Sequence, residues 1–484
     1  MSGRARRRSF ARVAPLLCVL IAGGGCAGLP FGDPPPAWEL PPPPPPSNPV
    51  VKPGRLHRAE LDNGLRLIVL EDPRLPRVGL SITLPRGEAA LVPSDAGLAS
   101  YTAELLERGA GERDALAFAQ SVERLGASVG AAAGWDTLEV SASGLTRDLD
   151  FLIGTLADMV LRPRFDPAEA ERAKGEILQS LERAKDDPAT LESWNGARVL
   201  YGEHRYGLPL SGAPETVAAF DAATARAFHT RAFVADGAIL SVSGDVDTEQ
   251  LLPKLRAAFG SWSRGRIPPV GDPPPAQVPE MRRIVIVDRP DLVQARIFVG
   301  HEGIERTAPD RVAAQLLNSV LGGAGFSSRL MESLRTQSGL TYGVYSGFAL
   351  RRAAGPFFVS MATAVENVRR ALDGLLAELE RARDEPPGER ELSWARTLAV
   401  GRFSMGLETS AAVAAGLVDL EVYDLPRDSL DTYRARVQAT SVEQVAAAAR
   451  SHLHPERAAI VLVGPAQALT EQLDGLGPVE VVTP

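Results

Sequence analysis

The sequence predicts an α+β protein built from two homologous halves. Three observations predict it. Each half opens with two runs of strand length, apolar and rich in β-branched residues: Leu65–Leu70 and Val78–Leu84 in the first, Arg283–Val287 and Gln294–Val299 in the second. A helical pattern follows each pair, starting near Asp310 in the second half. The halves also close alike: residues 227–259 and 448–473 both read as a helix end, a turn, a buried strand (Ala238–Ser243; Ala458–Val463), a second turn and a helix. Between the halves lies a boundary rich in proline, with Pro268, Pro269 and Pro273 to Pro275. Strands alternating with long helices in each half give a layered α+β architecture.

The chain has 484 residues, of which 45% are hydrophobic and 23% charged, an ordinary balance for a soluble globular body. The net charge of −8, spread over scattered acids, argues against a nucleic-acid partner. The first 26 residues form a leader. Arg4, Arg6, Arg7, Arg8 and Arg12 are followed by an apolar run, Val13–Ala22, too short to span a bilayer and right for a signal-peptide core. The run ends in Gly23, Gly24, Gly25 and Cys26, small residues before a cysteine that resemble a bacterial lipobox, with Gly23 where leucine is usual. Cys26 is the expected lipidation site, and Ala27 after it resembles the outer-membrane sorting pattern. The expected location is therefore the outer membrane, facing the periplasm, with membrane contact through the N-terminal lipid only.

The only cysteines are Cys18 and Cys26, so the mature body has neither a disulfide nor a cysteine metal ligand. Pro34–Pro36 and Pro41–Pro46 favour polyproline II, a semi-rigid spacer rising about 3 Å per residue. The expected division is a signal with lipobox at 1–26, a proline-rich linker at 27–58, a first domain at 59–264, a linker at 265–280 and a second domain at 281–484.

Several motifs occur in family order. LDNGLRLIVLED at 61–72, the helix pair from Asp95 to Ala131, DDP at 186–188, residues 220–247, and GHEGIERTAPDRVAAQLLNSVLGGAGFSSRLMESLRTQSGLTYGVYSGF at 300–348 together resemble the pitrilysin/insulinase family of zinc peptidases. The resemblance covers roughly residues 59–465. It implies that each half is a mostly antiparallel sheet packed by helices, and that the halves face each other like a clam shell. It also implies that the first long helix of the first half carries the inverted zinc motif H-x-x-E-H.

Here that helix reads Gly97, Leu98, Ala99, Ser100, Tyr101, Thr102, Ala103, Glu104. By the resemblance, Ser100 stands at the first histidine, Ala103 at the general-base glutamate and Glu104 at the second histidine; Ser180 stands at the distant glutamate ligand. Zinc takes histidine nitrogen, cysteine sulfur or carboxylate oxygen. Two hydroxyls, a methyl and one carboxylate leave no zinc site, and without zinc no bound water with a lowered pKa. No cofactor is expected on this chain. None of the six histidines, His57, His204, His229, His301, His452 and His454, recreates the motif. His452 and His454 read as solvated or capping residues, and His301 as part of a turn at a strand end. The glycine-rich run Leu321–Arg329 has no Lys-Ser/Thr pair after it, so it reads as a tight helix–helix turn rather than a phosphate loop.

In the second half, Arg335 and Tyr342 resemble the family's Arg/Tyr pair. In family members the phenol donates to the oxyanion and the guanidinium binds a peptide carbonyl or orients the phenol. The resemblance thus extends to the zinc-less subunits of bacterial heterodimeric members and of mitochondrial processing peptidase. The implied function is that of a non-catalytic subunit, with Arg335 and Tyr342 completing the site of a homologous partner that holds the zinc. The substrate would be an extended peptide. Two alternatives stay open: a peptide-binding or scaffold protein with no peptidase role, and an active metallopeptidase with unconventional ligands.

Overall fold

A computed structural model of the chain describes residues 48–265 and 279–484. The leader, Cys26, the proline runs and most of the boundary between the halves lie outside the described residues.

Each half holds one six-stranded mixed sheet. The first contains β1 (Leu56–Glu60), β2 (Arg66–Glu71), β3 (Arg77–Leu84), β4 (Ser128–Ala133), β5 (Leu138–Leu145) and β6 (Ile239–Gly244), in the order β1-β2-β6-β3-β5-β4. The second contains β7 (Arg283–Asp288), β8 (Gln294–Glu302), β9 (Val344–Phe348), β10 (Pro356–Ala364), β11 (Ala459–Gly464) and β12 (Val479–Val482), in the order β12-β7-β11-β8-β10-β9. The repeat holds strand by strand. β6 runs parallel to β2 as β11 does to β7, and β3, β5 and β4 follow antiparallel as β8, β10 and β9 do. The halves differ at one edge. β1 joins β2 antiparallel through a tight turn, whereas β12 returns parallel to β7 from the end of the chain. The described residues reach into the segment read as linker: β1 starts at Leu56, and the Val50 N–H donates to Asp431 Oδ1 at 2.6 Å.

In the central strands of the second sheet the period-two pattern sorts side chains between two cores. In β7 and β11, Ile284, Ile286, Ile460 and Leu462 face helices of their own half. Val285, Val287, Ala459, Val461 and Val463 face the other way, onto Leu191, Val199, Leu200 and Tyr201 of helix Pro188–Tyr201, which belongs to the first half. The exchange is reciprocal. Helix Ser410–Val422 of the second half lays Val413, Leu417, Val418 and Leu420 on Ile68, Leu70 and Ile239 of the first sheet. Each half therefore donates one helix to cover its sister's sheet. That is why β6 and β11 are buried along their whole length; β11 reads as a nearly continuous apolar run, whereas β6 sets Ser241 and Ser243 among its apolar residues.

The halves are also clasped at the β4–β5 turn. Asp136 Oδ2 accepts from the Arg352 N–H and the Tyr423 hydroxyl, both at 2.9 Å, and the Arg351 guanidinium lies 4.1 Å from the Trp135 ring centre.

Candidate functional site

Ser100, Ala103 and Glu104 all lie on helix Leu98–Leu106. Gly97 starts it with φ 91°, and a Cβ there would sit 2.5 Å from the Ser211 carbonyl oxygen, so no other residue fits. The helix N-terminus is satisfied by a buried acid. Glu88 accepts from the Gly97 N–H at 3.0 Å, the Ser100 N–H at 2.8 Å, the Ser100 hydroxyl at 3.0 Å and Arg205 Nη2 at 2.7 Å. Placing a carboxylate here suits the helix dipole, and Arg205 neutralises it where both side chains are almost fully enclosed.

The other positions are also committed or empty of donors. Ala103 is buried. Glu104 accepts from Arg108 Nη2 at 2.7 Å, and the same guanidinium reaches Glu176 at 2.5 Å and Glu169 at 3.6 Å on helix Pro167–Ala184. Burial works against the charge on Arg108, but the hydrogen bonds it donates to Glu176 and Glu104 outweigh it and hold its pKa above the ordinary arginine value. Ser180, on the same helix, is exposed. Among the described residues no group of three or more His, Cys, Asp or Glu is placed to hold a metal ion. A guanidinium joins these two helices through Glu104 of the motif and Glu176, one turn before Ser180. One amide of the adjacent edge strand is taken too, because Glu107 Oε1 accepts from the Ala131 N–H of β4 at 2.7 Å; burial pushes that carboxyl up.

The second half brings Arg335 and Tyr342 together. Arg335 lies on the helical turn Met331–Gln337 and Tyr342 two residues before β9. The Arg335 Cζ is 4.9 Å from the Tyr342 ring centre and 4.4 Å from that of Phe326. Among the described residues Arg335 forms no ion pair or hydrogen bond with a protein acceptor, so its donors are available. The backbone beside Tyr342 is tied down: Thr341 Oγ1 donates to the Ala362 carbonyl at 2.7 Å and Thr363 Oγ1 to the Leu340 carbonyl at 2.6 Å. The side chain of Tyr342 is nevertheless 89% exposed. Both residues line a cleft of about 900 Å³ that also takes in Phe326, Tyr345, Arg296 and Asn367. A fixed backbone presenting a free phenol beside a free guanidinium can donate hydrogen bonds to an oxygen that gains charge.

Two sequence models match the chain, one described as insulinase (peptidase family M16) over residues 67–212 and one as the peptidase M16 inactive domain over 219–398. The chain belongs to the insulinase family, peptidase family M16. Similar proteins include an uncharacterized zinc protease of Mycobacterium tuberculosis, 27% identical over 84% of this chain and 93% of its own length. Another, from Streptomyces coelicolor, is 27% identical over 85% and 90%. A peptidase M16 inactive domain from Pseudomonas fluorescens superposes with a TM-score of 0.76 at 27% identity, covering 85% of this chain and 98% of that one. A Helicobacter pylori protease shares the fold, with a TM-score of 0.77 at 18% identity over 85% and 99%.

Other residues differ from their sequence reading or were not singled out by it. His301 is not a turn residue but a buried one in β8, its Nδ1 bonded to the Glu302 carbonyl at 2.7 Å and its Nε2 accepting from the His454 N–H at 3.1 Å. That pattern uses both ring nitrogens in the neutral form. His452 is engaged as well, with Nε2 2.7 Å from Asp310 Oδ2. Glu88, Arg205 and Phe326 gave no signal, because their partners are distant in sequence or, for Phe326, hidden in a glycine-rich run.

Proposed function

We propose that this chain is the non-catalytic subunit of a heterodimeric zinc metalloendopeptidase, lending Arg335 and Tyr342 to the zinc site of a homologous partner. The observation that carries it is an asymmetry between the halves. In the first half, Ser100 and Glu104 are spent on internal contacts, Ala103 offers no donor and Ser180 only a hydroxyl. In the second, Arg335 and Tyr342 stand unpaired with acceptors on the rim of an open cleft. The relatives named zinc proteases support a partner of the same family. Zinc belongs to that partner in this reading, and the substrate is an extended peptide held by main-chain hydrogen bonds.

The test is to co-express the chain with a zinc-bearing M16 homologue from the same genome and assay the purified pair on peptides. Arg335→Ala and Tyr342→Phe should each lower turnover, with about a 10²-fold loss or more for a lost oxyanion donor, while the pair still assembles. Failure to associate, or full activity in both variants, overturns the proposal.

The proposal extends to location: export and lipidation at Cys26, with the proline-rich segment as a spacer from the outer membrane. Labelled fatty acid should enter the wild-type chain in a bacterial host and be lost in Cys26→Ser; equal labelling of both would rule this out.

A further inference from the structure

Phe326 exposes 71% of its surface although it sits in a run of small residues. An aromatic ring held in water this way calls for a local reason. The loop beneath it is built to deliver it. A Cβ at Gly322 would lie 2.5 Å from Ser346 Oγ, and one at Gly323 would lie 2.5 Å from Asn318 Nδ2, so the base of the loop is pressed onto its neighbours. Gly325 then turns the chain with φ 67° in open space, and the next residue places its ring 4.4 Å from the Arg335 Cζ.

We propose that Phe326 is a positioning residue that holds the Arg335 guanidinium, together with Tyr342, in the orientation used against a peptide carbonyl. The inference rests on the role given to Arg335 above. No carboxylate among the described residues fixes Arg335, whose contacts are the two rings. A neutralising acid would hold the side chain but would also take its donors; a ring holds it by its face and leaves the N–H groups free. An arginine otherwise gives up rotamer freedom when it binds substrate. Stacking on Phe326 and Tyr342 moves that loss to folding, so binding starts from an ordered side chain.

The experiment compares Phe326→Ala, Phe326→Leu and Phe326→Trp with Arg335→Ala in the assembled pair, using an internally quenched peptide that the wild-type pair cleaves. Phe326→Ala should raise KM by about two- to five-fold with kcat nearly unchanged, the size of an exposed cation–π contact. Phe326→Trp should restore KM and Phe326→Leu should not. Wild-type kinetics in Phe326→Ala beside a crippled Arg335→Ala overturn this inference alone, as does full rescue by leucine. An unaffected Arg335→Ala overturns the proposed function and this inference with it. In the isolated full chain, the Arg335 Nε–H resonance should be displaced by ring current and move in Phe326→Ala and Phe326→Leu but not in Phe326→Trp; no movement in any variant also overturns it.

Discussion

Arg296 of β8 donates from Nε to Glu192 Oε2 at 2.5 Å, joining the second sheet to the helix that the first half lays across it. Glu192 is 2% exposed, Asp187 lies at the start of its own helix, and Ser360 of β10 accepts from the other side of Arg296 at 2.9 Å. Burial, against the hydrogen bond to Ser360 and the charge of Arg296, pushes the Glu192 carboxyl up to about 7 from 4.5.

The folded chain thus holds this proton between about pH 4.5 and about pH 7, where the unfolded chain has lost it. Stability from this group is present below 4.5 and lost as pH rises through 7, by at most about 3 kcal/mol. His229 and His301, pushed down to about 4 by burial, act in the opposite sense and lose stability as pH falls from 6.5 towards 4. The prediction therefore concerns a difference. Glu192→Gln should gain stability relative to the wild type as pH rises across that window, read by denaturant unfolding. A difference that stays flat with pH would sink it.

The packing of the donated helix can be probed at Gly196. In an exposed helix interior Gly→Ala stabilises by about 1 kcal/mol. Here the new Cβ would lie 2.8 Å from ring atoms of Phe298 on the sister sheet. Overpacking should win, and Gly196→Ala should destabilise by about 1–3 kcal/mol. Phe298→Leu in the same chain should recover part of the loss. A stabilised Gly196→Ala would mean that the helix does not press on β8 as described.

These two residues also show what the sequence could and could not reveal. Local signals were legible: strand runs with period two, their repetition in both halves, and Ser100, Ala103 and Glu104 on one helix. The helix exchange was not. Helix Ser410–Val422 is apolar nearly all round, which says that it is buried but not against what. Glu192 reads as a solvated acid until Arg296, 104 positions away, is seen beside it. Arg335 and Tyr342 were found because their spacing is local and carries a resemblance, whereas Phe326 was lost in a run read only as a turn.

Glu88 and Arg205 form the most enclosed ion pair described, at 2.7 Å with side-chain exposures of 0% and 2%. Removing one partner leaves a buried charge short of its counter-ion, which costs about 3–5 kcal/mol. Arg205→Met should therefore lower unfolding stability by that order. Glu88→Gln in the same chain should restore part, since it removes the buried charge while its one oxygen still accepts from the Ser100 N–H and hydroxyl, leaving only the Gly97 N–H without its acceptor. Ser100→Ala alone, which removes only the hydroxyl, should cost about 1 kcal/mol. A loss in Arg205→Met no larger than in Ser100→Ala would show that the pair does not anchor this helix.

Arg108 bears on the metal question directly, because its guanidinium joins Glu104 to Glu176 and Glu169 on the facing helix. A cross-link made by a side chain is insensitive to chelators, whereas one made by zinc is not. The thermal midpoint of the purified chain should be unchanged by EDTA, and zinc after dialysis should be substoichiometric. Arg108→Met should lower stability by about 1 kcal/mol, the range of a partly exposed ion-pair network, equally with and without chelator. Stoichiometric zinc, or an EDTA-dependent midpoint, would assign the chain its own metal site and contradict the division of labour between its halves.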